Sequence, residues 1–178
     1  MEIKKNDCFT VSIEDMSEDG SGIGKLDGYI WFIKDAVKGD VVEAKAMKMK
    51  KSYGFARLMR VITPSQDRIE PACPVARQCG GCQLQAMSYE SQLKFKENKV
   101  YNNLRRIGGF TDIPFLPIIG MDEPWRYRNK AQFPFGRNKM VRSLLDFMQA
   151  VPTILSRRKT ACWVLRKIRR SLRASRNI

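Results

Sequence analysis

The sequence predicts a mainly β N-terminal barrel, followed by a cysteine-rich segment, one helix and the opening of an incomplete α+β domain. Three observations predict it. Short apolar or alternating runs, parted by Gly and Asp turns, fill the first third of the chain. Three of the five cysteines fall between Cys73 and Cys82. One helix-period stretch follows them and ends at Gly108-Gly109.

The barrel elements come in order. Cys8 to Ile13 is a first strand, and Asp19-Gly-Ser-Gly-Ile-Gly is a glycine-rich turn. Asp27-Gly28 is a strong hairpin turn, because both residues tolerate positive φ. Tyr29 to Ile33 is an apolar run suited to a buried strand, and Lys38-Gly39-Asp40 turns the chain again. Val41 to Met49 alternates, with Val42, Ala44, Ala46 and Lys48 on one face and Val41, Glu43, Lys45 and Met47 on the other. Tyr53 to Ile62 is the last strand. Five short strands in this space suggest a compact barrel over residues 1–62.

Residues 63–87 change character, since Pro64, Pro71 and Pro74 break regular structure and the cysteines lie among them. A helix is expected from Tyr89 to Ile107. Ser88 is its N-cap, and Ser91 stands where a capping box would place an acid. Leu93, Val100 and Leu104 fall on one of its faces. Residues 88–139 comprise this helix and the entry into a further sheet, at Trp125 to Phe135.

The net charge is +15 and is unevenly spread, at +6 for residues 1–139 and +9 for residues 140–178. Basic chains favour nucleic acid or anionic surfaces. No secretory signal or 18-residue apolar stretch is present, which leaves the cytoplasm as the expected location, with no membrane partner. An odd cysteine count argues against a disulfide framework, and the absence of histidine removes His-based catalysis and mixed zinc patterns.

Cys73, Cys79 and Cys82 are the candidate metal ligands. Close thiolates bind soft metals or iron–sulfur clusters, and Gly80-Gly81 lets the backbone curl so that Cys79 and Cys82 face the same atoms. Three readings remain open on spacing alone: buried thiols without metal, structural zinc, or an iron–sulfur cluster. Either metal requires a fourth ligand. Cys8 is one candidate, though a strand cysteine is more often plain filler.

Lys45, Lys48, Lys50, Lys51 and Arg57 are the candidate RNA-binding residues of the barrel, with Tyr29, Trp31, Phe32, Tyr53 and Phe55 nearby. Charge for the backbone and rings for unstacked bases are what single-stranded RNA binding uses. A solvated lysine face over an aromatic core is the competing reading. Trp31 and Phe32 cannot both point inward, so one is exposed or covered by a neighbour. Arg126, Arg128 and Lys130, interleaved with Trp125 and Tyr127, are further candidates for phosphate contact.

Taken together, these residues resemble the N-terminal part of the S-adenosylmethionine-dependent RNA uracil-C5 methyltransferases, especially the bacterial 23S ribosomal RNA members. Asp19 to Gly24, Asp27-Gly28 and Val37 to Asp40 look like their OB-like, RNA-binding TRAM domain. Cys73, Cys79, Gly80, Gly81 and Cys82 match three of their four cluster ligands, and Gln83 to Gln85, Tyr89, Gln92, Lys96 and Val100 resemble the helix that follows. Tyr127 to Lys130 and Phe133 match the start of their central domain. The resemblance covers residues 1–139. It implies a [4Fe–4S] cluster with an organising role, ribosomal RNA as partner, a monomer, and S-adenosylmethionine bound in the full-length parent. It implies no catalytic residue here, since no position matches the family's nucleophile or base. The chain alone is therefore expected to be inactive. The alternatives are a stand-alone TRAM and cluster RNA-binding protein, or a small zinc-bearing structural protein.

The resemblance stops at Lys139, and the composition changes there. Residues 140–178 hold ten basic residues, one acid and no glycine. Met140 to Thr153 can be back-translated, with codons chosen freely and a G placed in front, so that the frame one base earlier reads Asp-Gly-Lys-Ile-Ile-Thr-Gly-Phe-Tyr-Ala-Gly, which resembles the family's continuation. Thr160 to Ser171 admits codons that in the same frame read as a string resembling the segment with the fourth cluster cysteine. The tail is thus expected to be out of frame and not native-like, with Cys162 an accidental neighbour of the lost ligand. The competing reading is a real basic RNA-binding helix, with Leu165, Ile168 and Leu172 on one face.

Overall fold

The computed structural model describes residues 3–74, 76–79, 81–127, 135–137 and 143–145. Five strands come first: β1 (Cys8–Met16), β2 (Gly22–Leu26), β3 (Tyr29–Lys34), β4 (Val41–Met49) and β5 (Tyr53–Thr63). A short helix α1 (Ala76–Cys79) and a long one, α2 (Tyr89–Arg106), follow. Strands β6 (Phe135–Arg137) and β7 (Ser143–Leu145) pair antiparallel. The rest of the expected central domain and tail lies outside the described residues.

The five strands close into a barrel in the order β1-β2-β3-β5-β4, with β4 returning to β1. All pairs are antiparallel except β3 with β5. The β2–β3 hairpin turns on Asp27 and Gly28, both at positive φ (49° and 79°), the conformation that matches strand twist in a two-residue loop. Period-2 alternation puts Val11, Ile13, Trp31, Ile33, Val42, Ala44, Ala46, Ala56 and Leu58 inside. Trp31 is fully buried, with its ring 4.5 Å from Phe9 and 5.0 Å from Tyr29. The neighbouring inward positions are small, which is how one large ring fits a five-stranded barrel.

One strand reading is corrected. Lys48 does not share a face with Val42, Ala44 and Ala46. A register shift between Ala46 and Lys48 inserts Met47 as an extra residue, so Met47 and Lys48 are both exposed and Lys48 lies opposite Phe55.

The end of the barrel is pinned by Asp40, which is wholly buried. Its carboxylate accepts the N–H groups of Val37 (2.6 Å) and Ser65 (2.9 Å) and pairs with Arg68. Arg68 also donates to the carbonyl of Asp35 at 2.7 Å. The chain then runs to α2: the Ile69 N–H bonds the Ala86 carbonyl and the Ser88 N–H bonds that of Asp67. Ser88 caps α2 as expected, its hydroxyl accepting from the Ser91 N–H. Lys99 of α2 reaches the carbonyl of Glu18 in the β1–β2 loop at 3.2 Å.

Residues 3–70 and 83–120 accordingly form one compact unit, and Pro71–Cys82 groups with the residues after Gly120 in a second. Of the expected apolar face of α2, Leu93 and Leu104 are half-buried but Val100 is 52% exposed. Ser91 is the helix's one buried residue among those described.

Candidate nucleic-acid interface and cysteine segment

The outer face of β3, β5 and β4 gathers the aromatic and basic residues that alternation turns away from the core. Strand register sets them in rows. Phe32, Phe55 and Lys48 form one, and Lys34, Arg57 and Lys45 form the next, with Cys8 opposite Lys45 on β1. The rings of Phe32, Tyr53 and Phe55 are mutually 5.7 Å apart. Phe32 and Phe55 are inclined by 32°, and Tyr53 stands edge-on to both at 87° and 83°. Trp31 is buried, whereas Phe32 is half-buried with its ring against exposed Tyr53 and Phe55, so the two neighbours lie on opposite faces of β3.

Lys50 and Lys51 sit at the tip of the β4–β5 hairpin. The Tyr29 hydroxyl lies at the mouth of that hairpin, 2.8 Å from the Lys50 carbonyl and 2.5 Å from that of Tyr53. It also accepts the Lys50 N–H at 3.2 Å. Tyr29 is therefore a packing and positioning residue, half-buried against the barrel core with its hydroxyl tied to the hairpin backbone. Among the described residues no carboxylate pairs with Lys34, Lys45, Lys48 or Arg57, whereas Arg60 on the same strand is engaged by Glu43 at 2.6 Å. Lys34 was missed by sequence reasoning. Its spacing of two from Phe32 was the available signal.

The other candidates are placed less fully. Arg126 lies in the second unit, half-buried and at φ 60°, between exposed Trp125 and Tyr127. Arg128, Lys130 and Cys162 lie outside the described residues.

In the cysteine segment, the Ala76 N–H bonds the Cys73 carbonyl at 3.0 Å and opens α1, which carries Cys79 at its end. Cys73 and Cys82 are half-buried and in no disulfide. Among the described residues no three Cys, Asp or Glu side chains come close enough to hold a metal; the Cys79 side chain is outside that description. Also among the described residues, no helix is long and apolar enough to cross a membrane.

Residues 4–59 match the TRAM domain family. An RNA methyltransferase of Halalkalibacterium halodurans, described as uncharacterized, is 52% identical over 137 residues, covering 77% of this chain and 30% of its own. A similarly described RNA methyltransferase of Listeria monocytogenes is 49% identical over 134 residues, 75% of this chain and 29% of its own. Among solved structures, the Pyrococcus abyssi tRNA (uracil-54, C5)-methyltransferase in complex with S-adenosyl-L-homocysteine aligns with a TM-score of 0.59. That alignment covers 94% of this chain and 36% of the other at 20% identity, a likeness of fold. The chain spans about 30% of the length of the curated relatives it matches. Residues 4–59, which span the barrel, thus match the TRAM domain, and some three quarters of the chain is similar in sequence to RNA methyltransferases.

Proposed function

We propose that this protein is the RNA-gripping front part of an S-adenosylmethionine-dependent uracil-C5 methyltransferase acting on ribosomal RNA. The observation that carries the reading is the 52% identity over 137 residues to an RNA methyltransferase. In this reading the barrel holds RNA through Lys45, Lys48, Lys50, Lys51 and Arg57. Arg126, Arg128 and Lys130 add phosphate contacts from the second unit. The chain contributes RNA binding, and methyl transfer is a property of the whole methyltransferase; the chain spans about 30% of the relatives' length. It works in the cytoplasm as a monomer.

Cys73, Cys79 and Cys82 would supply three thiolates to a [4Fe–4S] cluster. Two of these thiols are half-buried, which suits ligation of a soft metal centre. A bound cluster would brace the Pro71–Cys82 segment.

The test is RNA binding by the full chain across a salt series. Single-stranded RNA should bind with log affinity falling by roughly 0.7 per phosphate contact against log salt. Replacing Lys48, Lys50 and Lys51 together by Gln should flatten that slope by about 2. A salt-independent affinity would remove the basis for the reading. Iron and sulfide analysis after anaerobic purification tests the cluster, and stoichiometric zinc without iron would replace it by a structural zinc.

A further inference from the structure

We propose that the outer face of β3, β5 and β4 is a stacking platform for unstacked bases of single-stranded RNA. The phosphates would run along the row Lys34–Arg57–Lys45. The proposal rests on the RNA-binding reading above and names the subsite and the kind of strand within it.

Folding alone does not account for this face. Tyr53 and Phe55 leave 36% and 43% of their surface in water, although each ring could contribute to a core. They are also not scattered, because with Phe32 they form one continuous aromatic surface of rings 5.7 Å apart. Beside it, Lys34, Arg57 and Lys45 stand directly opposite one another across three adjacent strands. Like charges opposed in this way destabilise a sheet. No carboxylate among the described residues offsets them, although Glu43 on the same strand is available to Arg60. A polyanion resolves the repulsion that the fold leaves standing.

The spacing fits a nucleotide. Successive same-face rows of a sheet lie about 6.6 Å apart, so a base lying on the Phe32–Phe55 row leaves its phosphate within reach of the adjoining cationic row. Lys48, opposite Phe55, closes the far side of the ring row. Neighbouring strands are about 4.8 Å apart, which lets the chain cross β3, β5 and β4 with more than one ring engaged. A duplex cannot use this surface, because its bases already stack on each other and offer no free face. An unpaired strand can, with little dependence on base identity, since every base has a π-face.

The experiment measures fluorescence anisotropy of the full chain with a labelled ten-nucleotide single strand and with the matching duplex. Phe55→Leu and Tyr53→Leu keep apolar bulk and remove the ring. Each should weaken single-strand binding by roughly ten-fold while leaving the salt slope unchanged. Phe55→Trp should bind at least as tightly as the parent, which separates lost stacking from a damaged barrel. Replacing Lys34, Lys45 and Arg57 by Gln should reduce the salt slope by about 2. Ring variants that bind like the parent, or a duplex bound as well as the single strand, would overturn the platform. If only Lys48, Lys50 and Lys51 then matter, the RNA-binding reading survives without it. If the parent binds no RNA, both fall.

Discussion

Arg68 lies across the carboxylate of Asp40, with Nη2 2.6 Å from Oδ2 and Nε 2.9 Å from Oδ1. Asp40 is wholly buried and Arg68 half-buried, with 17% of its side chain exposed, and the pair joins the β3–β4 turn to the segment that leads into α2. Truncating one partner of a buried pair leaves the other without compensation. Arg68→Ala should therefore cost about 3 kcal/mol in urea unfolding. Arg68→Lys should recover only part of that, because one ammonium cannot span both carboxylate oxygens and the Asp35 carbonyl. A loss under about 1 kcal/mol would show that this junction is held by other contacts.

Gly54 faces Trp31 across the parallel β3–β5 pair. A Cβ there would lie 2.6 Å from one indole carbon and 2.9 Å from another. The indole has little room to withdraw, being packed between Phe9 and Tyr29. Gly54→Ala should destabilise the barrel by about 1–3 kcal/mol, with altered near-ultraviolet dichroism from Trp31. Unchanged stability and spectrum would mean the ring is free to shift.

Most of the barrel was legible because alternation and turn chemistry agree locally. Asp27-Gly28 and the Tyr29 to Ile33 run each point to one structure from a few residues. Lys48 was placed on the wrong face because a bulge adds a residue without any compositional mark. The Asp40–Arg68 pair was invisible for a different reason. Its members are 28 residues apart, and Asp40 reads as an ordinary turn residue until the chain brings Arg68 back over it. Helix α1 is four residues long among prolines, too short for a periodic signal. The rings were legible as a group, but only strand register separates buried Trp31 from exposed Phe55.

Asp19 gives a pH dependence. The Ser17 hydroxyl and the Ser21 N–H donate to its carboxylate, and these bonds hold its pKa below the ordinary value of 3.8, led by the Ser17 hydrogen bond. A depressed folded-state pKa contributes stability above the unfolded value, lost as pH falls through the folded one. The β1–β2 turn should loosen only below about pH 4, read by amide exchange at Ser21. Asp19→Asn should abolish this acid dependence of the turn. If the variant titrates like the parent, another group controls it.

The composition break at Lys139 predicts a change of reading frame. Codons can be chosen for which two windows of the tail resemble the family continuation in one shared displaced frame, so a single-base correction near the Lys139 codon should restore Asp-Gly-Lys-Ile-Ile-Thr-Gly. Resequencing the coding DNA decides it. A stop within a few codons of the earlier frame would leave the basic tail as a functional element in its own right.

Tyr29 separates geometry from charge at the hairpin tip. Its hydroxyl contacts the Lys50 and Tyr53 carbonyls and accepts the Lys50 N–H, so it fixes the backbone that presents Lys50 and Lys51. Tyr29→Phe removes those bonds without removing a cation. It should cost about 1 kcal/mol of stability, the net worth of a typical hydrogen bond. RNA affinity should fall several-fold, because the lysines must then be ordered on binding. The salt slope should stay at the parent value, since the number of displaced counterions is set by charge. Substituting Lys48, Lys50 and Lys51 should do the reverse, flattening the slope while the melting temperature of the barrel holds. A Tyr29→Phe chain that binds RNA as well as the parent would show that the hairpin tip presents its lysines without this anchor.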